Sequence, residues 1–304
     1  MDNYFCIHSP ANDVVDNIVI SEQDYINFKE AKDNLIHMLY IEEKYNFIIE
    51  NFLEFEKDII SITFEKMVST LLANDWILST KEIHLLNRRL INLLTTSRLY
   101  IDQLEHDLKK MCLSDPNVVS YSKMLKTREY NENIGYRVIE ALRNYVQHRG
   151  LPIHSMKCKR NKQESFTESS LKYIISPLIR VEDLEKDDKF KKSVIKDLKQ
   201  FGENVDLKLI IREYIQSISN IHCSIRQLLS CYISEWDSIV ENAYLKYKEK
   251  YSEVDMIGVA EIDKFGFRHN NVYLLKDTIN KRKLLIQKNS DLSSLVKMYV
   301  SSEY

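Results

Sequence analysis

The sequence predicts an all-α protein, a bundle of four long helices with a small mixed insertion and a C-terminal extension. Turn-forming residues are scarce, since the 304 residues include only five Gly and four Pro. Folds rich in β-strands need many turns, in which these two residues are common, so their scarcity favours long helices. Apolar residues also recur at spacings of three and four over long stretches, which is typical of amphipathic helices packed in a bundle.

The first two predicted helices cover residues 21–72 and 80–112. Ser21 is placed to cap the start of the first helix, and the length of this helix predicts a break or bend in the fifties. The second helix is predicted to begin after Ser79, because Glu82 completes a capping box with it. Its apolar positions then alternate by three and four, as along the seam of a bundle.

The third and fourth predicted helices cover residues 120–149 and 206–250. Gly150 and Pro152 predict the end of the third helix, because Gly can adopt the left-handed conformation that closes a helix and Pro cannot continue one. The fourth carries apolar residues at helical spacing along its whole length, and a helix of this length is expected to kink.

Shorter elements are predicted between and before these helices. Residues 1–20 are expected to be irregular apart from a short strand at Ile18–Ile20. The insertion, residues 151–205, contains an extended stretch that Pro177 restricts to a sheet edge or a turn, because Pro cannot donate to a strand ladder. A short helix closed by Gly202 is expected at the end of the insertion.

The C-terminal extension is predicted to contain a strand pair around Asp263–Gly266, followed by helices from about Tyr273. The chain is therefore divided into an N-terminal segment, three helices, an insertion, a fourth helix and an extension, with boundaries at 1–20, 21–150, 151–205, 206–251 and 252–304.

Composition excludes several functional classes. The net charge is −2, so no global basic field favours nucleic acid and any such contact must come from a local patch. The five Cys are scattered without a CxxC pair, which favours a reducing compartment over disulfides or zinc. No signal peptide and no apolar run of about 20 residues is found, so a cytoplasmic protein that does not enter a membrane is expected. No P-loop, dinucleotide-binding or zinc-hydrolase motif occurs, so no cofactor is expected.

The stretch RNYVQH, at Arg143–His148, lies at the end of a predicted helix and carries polar side chains that are suited to catalysis. At about 100° per residue, an apolar stripe centred on Leu142 is predicted to face a core. Asn144 and His148 lie on the opposite side and, four residues apart, are neighbours. Arg143 and His148 diverge by about 140°. Their convergence on one atom therefore needs an unwound last turn or a second copy of the helix.

The residues of this face leave two interpretations open. A polar face opposite an apolar stripe is usually solvated surface, and a single surface His is common. The same residue types also suit phosphate chemistry, since His transfers protons near neutral pH and Arg binds phosphate oxygens in a bidentate manner.

The stretch ALRNYVQHRGLP resembles the motif of the HEPN (higher eukaryotes and prokaryotes nucleotide-binding) superfamily. Its members are all-helical, and many are metal-independent ribonucleases. Their motif is an Arg, often beside a polar residue, followed by His after four to six residues. Arg143, Asn144 and His148 match it. The resemblance implies these three as catalytic residues, with no metal, and it covers the motif helix and the bundle around it.

RNA cleavage of this kind proceeds by attack of a 2′-hydroxyl on the adjacent phosphorus. His148 would transfer the proton, Arg143 would hold the phosphate, and Asn144 would orient one or the other. A basic run beside the motif predicts a path for the RNA backbone, the alternative being a solvated, partly disordered loop. His154, on the same loop, is a weaker candidate for a second proton donor. The residues predicted to bind RNA are Gln147, Arg149, Lys157, Lys159, Arg160 and Lys162.

The sequence thus predicts a metal-independent endoribonuclease, of the kind found as a toxin or antiviral defence effector. Its predicted partners are RNA, a second copy facing it across the motif helix, and an antitoxin or regulatory protein. The alternative is a non-catalytic helical module that binds a protein or a nucleotide.

Overall fold

The fold is mixed and contains α-helices together with two antiparallel sheets. The structure is a computed structural model, and it describes residues 3–10, 16–68, 76–111, 117–164, 169–251 and 254–300. The prediction of an all-α bundle is therefore wrong. Strands form in the three places where only short elements were expected: the N-terminal segment, the insertion and the C-terminal extension. The scarcity of Gly and Pro was a poor guide, because a few hairpin turns need few such residues.

The described helices are α1 (Glu22–Val68), α2 (Trp76–Lys110), α3 (Asn117–Glu132), α4 (Ile134–His148), α5 (Val181–Glu185), α6 (Lys192–Lys199), α7 (Leu207–Lys250) and α8 (Lys276–Lys288). The described strands are β1 (Tyr4–His8), β2 (Ile18–Ile20), β3 (Ser155–Glu164), β4 (Ser169–Arg180), β5 (Asn204–Asp206), β6 (Met256–Ile262) and β7 (Arg268–Leu275).

The two N-terminal helices differ from the prediction in detail. Helix α1 continues through the fifties without the expected break, and residues 69–72 lie outside the described part. Helix α2 begins at Trp76, so Ser79 lies within its first turn and does not cap it. Glu82 instead forms an ion pair with the buried Lys66 at 2.8 Å. A capping box requires the Ser before the first helical residue, and here the helix starts earlier.

The predicted helix 120–149 is wrong, because it is two helices that meet at Asn133. Asn133 has an extended backbone, with φ −111° and ψ 117°. The Gly135 amide, at the start of α4, donates to Glu213 Oε2 of α7 at 3.0 Å. A Cβ on Gly135 would lie 2.5 Å from the Glu213 Cβ, so only Gly allows this approach. The carboxylate satisfies an amide that has no partner within the helix.

Contacts divide the chain into two units. One contains residues 1–46, 101–123 and 223–290, and the other contains residues 47–100, 124–222 and 291–304. The borders fall inside α1, α2, α3 and α7, so each of these helices contributes residues to both units.

The first unit contains a four-stranded sheet in the order β2-β1-β6-β7. β1 pairs with β6 from Tyr4↔Ile262 to His8↔Gly258, so the prediction of an irregular segment is wrong for Tyr4–His8, while residues 1–2 and 11–15 lie outside the described part. The short strand at Ile18–Ile20 is confirmed as β2, and the pair around Asp263–Gly266 is confirmed as β6 and β7. The expected helix after Tyr273 is confirmed as α8.

The second unit contains a three-stranded sheet in the order β3-β4-β5. Pro177 lies in β4, the middle strand, so the prediction of an edge or turn position is wrong. The Leu178 carbonyl accepts a hydrogen bond from the His154 amide, on the β3 side, at 3.0 Å. Backbone groups of successive strand residues point to alternate sides, so the backbone of Pro177 points away from β3. β5 pairs only with Leu178–Arg180. The missing Pro N–H therefore costs no ladder bond.

His8, in the first unit, is fully buried, with its ring edge-on to Tyr273 at 5.2 Å. Burial, aided by the charge of Arg268, lowers the pKa of His8 to about 4. The unfolded chain takes up this proton near pH 6.5. The neutral His8 therefore gives its full contribution to stability above pH 6.5, and this contribution falls as the pH drops towards 4.

We expect the free energy of unfolding to fall by up to about 3 kcal/mol from this group between pH 6.5 and 4, since each pKa unit is worth about 1.4 kcal/mol. Urea unfolding at several pH values measures this change in the free energy of unfolding, and His8→Gln should remove most of the pH dependence. The same substitution at the exposed His106 is the control. Equal pH dependence in the wild type and His8→Gln would contradict the prediction.

Candidate functional site

Helix α4 buries the apolar stripe that the sequence predicts. Val138, Ile139 and Leu142 are each at most 1% exposed. The helix ends at His148, and the amides of Arg149 and Gly150 both donate to the Tyr145 carbonyl, at 2.8 and 3.3 Å. This confirms the predicted end of the helix, although Gly150 is not in the left-handed conformation.

The motif residues divide between the interior and the surface. Asn144 and His148 are exposed, whereas Arg143 is half-buried. Arg143 Nη2 donates to Asn144 Oδ1 at 2.6 Å, and its buried Nε has no hydrogen-bond partner among the described atoms. Burial raises the pKa of the Tyr214 hydroxyl well above its ordinary range, and Arg143 partly opposes this rise. The Arg143 side chain thus interacts with both the core and Asn144.

A cleft of about 480 Å³ opens beside the end of α4. Asn144 and His148 line one side, and residues from the turn between α5 and α6 line the other. The described lining residues are Ala141, Asn144, Tyr145, His148, Arg149, Asp187, Lys189, Phe190 and Lys191. The structure therefore brings Asn144 and His148 together, and it leaves Arg143 outside the lining.

Three cations surround this cleft. Arg149 Nε lies 3.5 Å from Asp187 Oδ1, and Lys191 Nζ donates to the Tyr130 hydroxyl at 3.0 Å. The Asp187 carboxylate also accepts the Lys189 amide at 3.1 Å, which shapes the turn. Positive charge beside a proton-transfer group is suited to a phosphate ligand.

Lys189 and Lys191 were not among the residues predicted from the sequence. They belong to the run DDKFKK, residues 187–192, in which two acids precede three lysines, a mixture of charges that is common on a protein surface. The packing of Phe190 against Tyr145, with ring centres 6.0 Å apart, and the ion pair of Arg149 with Asp187 bring this turn to the end of α4.

Arg137 fixes the elements around the cleft. Its Nη1 donates to the carbonyls of Tyr130 and Asn131 at 2.9 and 2.8 Å, at the end of α3. Its Nε donates to Asp197 Oδ2 of α6 at 3.0 Å. One guanidinium thus joins α3, α4 and α6, and it satisfies carbonyls that have no partner at a helix end.

The other residues predicted to bind RNA lie elsewhere. Gln147 is exposed on α4, but among the described residues it does not line the cleft. Lys157, Lys159 and Arg160 are exposed on β3 and are also absent from that lining. The alternative of a loop is therefore wrong for this run, which forms a strand. Lys162 belongs to the same strand, but its side chain lies outside the described part.

His154 is not placed as a free proton donor. Its Nδ1 accepts the Arg180 amide at 3.0 Å. Burial lowers the pKa of His154, and nearby Asp183 partly opposes this shift. The ring therefore helps hold the start of β3 against the end of β4.

Comparison of the chain with protein-family models, curated proteins and solved structures finds no match. The described residues contain no group of three or more His, Cys, Asp or Glu placed to share a metal ion. Among the described helices, none is both long and apolar enough to cross a membrane.

Asn87 of α2 holds the segment that follows the motif helix. The Ile153 amide donates to Asn87 Oδ1 at 2.9 Å, and Asn87 Nδ2 donates to the Ile153 carbonyl at 3.0 Å. Asn87 is 1% exposed, so its loss leaves two buried backbone groups without partners. We expect Asn87→Ala to lower the free energy of unfolding by about 2–4 kcal/mol, measured by urea unfolding.

The matched control is Asn92→Ala, an exposed position on the same helix, which should change stability by less than about 0.5 kcal/mol. A loss of stability in Asn87→Ala no larger than in this control would show that the two bonds with Ile153 do not hold the segment.

Proposed function

We propose that this protein is a metal-independent endoribonuclease of the cytoplasm that cleaves RNA in the cleft beside the end of α4. The observation that carries the proposal is that exposed His148 and Asn144 line the same cleft as Lys189 and Lys191. Phosphoryl transfer needs a group that moves protons beside charges that stabilise the phosphate. The similarity of Arg143, Asn144 and His148 to the HEPN motif supports the same chemistry.

The reaction starts when His148 accepts the proton of a ribose 2′-hydroxyl. The 2′ oxygen then forms a bond to the adjacent phosphorus, and the bond from phosphorus to the 5′ oxygen breaks. The protonated His148 returns its proton to that oxygen. The products are a 2′,3′-cyclic phosphate and a 5′-hydroxyl, so the bonds formed and broken balance without a co-reactant.

The cations of the cleft stabilise the phosphate as negative charge grows on its oxygens. Lys189 and Lys191 take the role that the sequence gave to Arg143, because they line the cleft. Arg143 holds the Asn144 amide group of its own chain through the 2.6 Å bond. A fixed Asn144 can then orient the phosphate or the His148 ring.

A cytoplasmic location is consistent with the cysteines. Among those in the described part, Cys6, Cys158, Cys223 and Cys231, none forms a disulfide. Free thiols, two of them exposed, suit a reducing compartment.

His148→Ala should abolish cleavage of a labelled RNA without lowering the melting temperature, because His148 is exposed and packs against no core. The loss should be at least about a hundredfold, the usual contribution of a general acid or base. His84→Ala, the same change at another exposed position, is the control. Cleavage that survives in His148→Ala would favour the non-catalytic module.

The proposed chemistry also predicts the products and the response to chelators. Cleavage should continue at an unchanged rate in EDTA, because the nucleophile is the ribose 2′ oxygen. Mass spectrometry should show 2′,3′-cyclic phosphate ends, and an RNA with 2′-O-methyl groups should resist cleavage. A requirement for Mg²⁺, or 5′-phosphate ends, would contradict this mechanism.

We propose that the active form is a homodimer in which two α4 helices face each other across a two-fold axis. The exposed motif face of a single chain presents Asn144 and His148, while Arg143 diverges from His148 by about 140° on a helix. Across a two-fold axis, the Arg143–Asn144 pair of one chain comes to the His148 of the other.

Mixing inactive Arg143→Ala and His148→Ala chains tests this arrangement. Random pairing makes half of the dimers mixed, and each mixed dimer has one intact site of two, so about a quarter of the wild-type activity should return. The two variants are refolded together, each variant refolded alone is the control, and RNA cleavage is measured for all three samples. No recovery would rule out a site shared between two chains, and full activity from a protein that light scattering shows to be monomeric would rule out the dimer.

A further inference from the structure

The hairpin of β3 and β4 carries lysines on one face. Lys157 pairs with Ser176, Lys159 with Ile174, and Asn161 with Lys172. Residues directly opposite each other in an antiparallel pair lie on the same face. This face carries four exposed residues, Lys157, Lys159, Asn161 and Lys172, here called the lysine face. Half-buried Ile174 and buried Ser176 lie on the same side.

The opposite face of the hairpin is only partly covered by the protein, since Cys158, Arg160 and Leu171 on that face are exposed. Ile175 is 1% exposed, and the Arg160 guanidinium lies over the Tyr173 ring at 5.6 Å. Both faces are therefore open in their outer half, and the lysine face is the more basic one, with three described cations against Arg160 alone.

The charges of the lysine face are not neutralised by their surroundings. Lys157, Lys159 and Lys172 form no ion pair with any residue that the structure describes, whereas Arg89, Arg137 and Arg212 of the same unit each pair with a carboxylate. No Asp or Glu occurs from Ser155 to Gln163 or from Ser169 to Arg180. In a chain of net charge −2, this is a local excess of positive charge.

We propose that the lysine face binds the phosphate backbone of single-stranded RNA, outside the cleft in which it is cut. This inference rests on the proposed function, which makes RNA the polyanion to be held. Lys157 and Lys159 are two residues apart on an extended strand, so their side chains recur about every 6.6 Å. Two lysines with this spacing, together with Lys172 on the neighbouring strand, can contact successive phosphates of a backbone without reading bases.

A single strand fits this face better than a duplex. The major groove of double-helical RNA is deep and narrow, so a flat two-stranded ribbon does not enter it. The major groove of B-DNA does admit a ribbon, which makes duplex DNA the informative competitor. Lysines on an edge strand also prevent pairing with other sheets, and the salt dependence of binding separates this role from RNA binding.

The test compares wild type with Lys157→Gln, Lys159→Gln and Lys172→Gln combined. The probe is fluorescein-labelled 2′-O-methyl oligouridine of about 20 nucleotides, which keeps the phosphates but lacks the nucleophile. Fluorescence anisotropy over a salt series gives the affinity and its slope against log salt. The control combines the same substitution at exposed Lys29, Lys57 and Lys297, which changes the net charge equally.

Each phosphate contact on a single strand contributes about 0.7 to the slope of log affinity against log salt. The lysine-face variant, which loses three contacts, should therefore have a slope smaller in magnitude by about 2 and an affinity at least tenfold lower. The control should keep the wild-type slope. An unchanged slope in the lysine-face variant would overturn the proposal, as would tighter binding of duplex DNA than of the single strand.

The same measurements separate this proposal from the proposed function. If the lysine-face variant loses binding and the wild type cuts no RNA, the binding face is retained and cleavage is rejected. If the wild type cuts RNA and the variant binds as well as the control, cleavage is retained and the binding face is rejected. Circular dichroism of the variant checks that the exposed substitutions leave the fold intact.

Discussion

The contact between Glu213 of α7 and the Gly135 amide determines where the motif helix starts. The carboxylate accepts that amide at 3.0 Å, and a side chain at residue 135 would collide with the Glu213 Cβ and the Ile210 carbonyl. Because α3 and α4 are separated here, α4 takes its direction from its packing in the second unit. The position of His148, at the last residue of α4, follows from that direction.

Polar contacts hold α4 near both of its ends, through Asn87 beyond its last residue and through Arg137 in its first turn. Asn87 binds both backbone groups of Ile153, and Arg137 joins the end of α3 to Asp197 of α6. Such contacts have defined directions, whereas apolar packing does not, and an unsatisfied buried group is costly. They therefore hold α4, α6 and the intervening turn in the arrangement that forms the cleft.

The error in fold class has a physical origin. Helical periodicity is local, so the long helices were visible in the sequence, and α7 was placed within a residue of its observed start. A strand is stabilised by a partner that lies far away in the chain. β1 pairs with β6, about 250 residues later, and no pattern within residues 1–20 indicates that partner. The break at Asn133 was missed for a similar reason, since Glu213 lies on another helix.

The sequence by itself determined the apolar stripe of α4, the helix end near Gly150, and the exposed polar residues Asn144 and His148, because all of these depend on spacing along one helix. Only the tertiary structure decided which cations join them. Lys189 and Lys191 reach the cleft through the packing of a distant turn, while the basic run of β3 forms a separate face. Arg143 turns towards the core and Asn144, because the surroundings of a helix determine where a long side chain goes, and spacing in sequence does not record them.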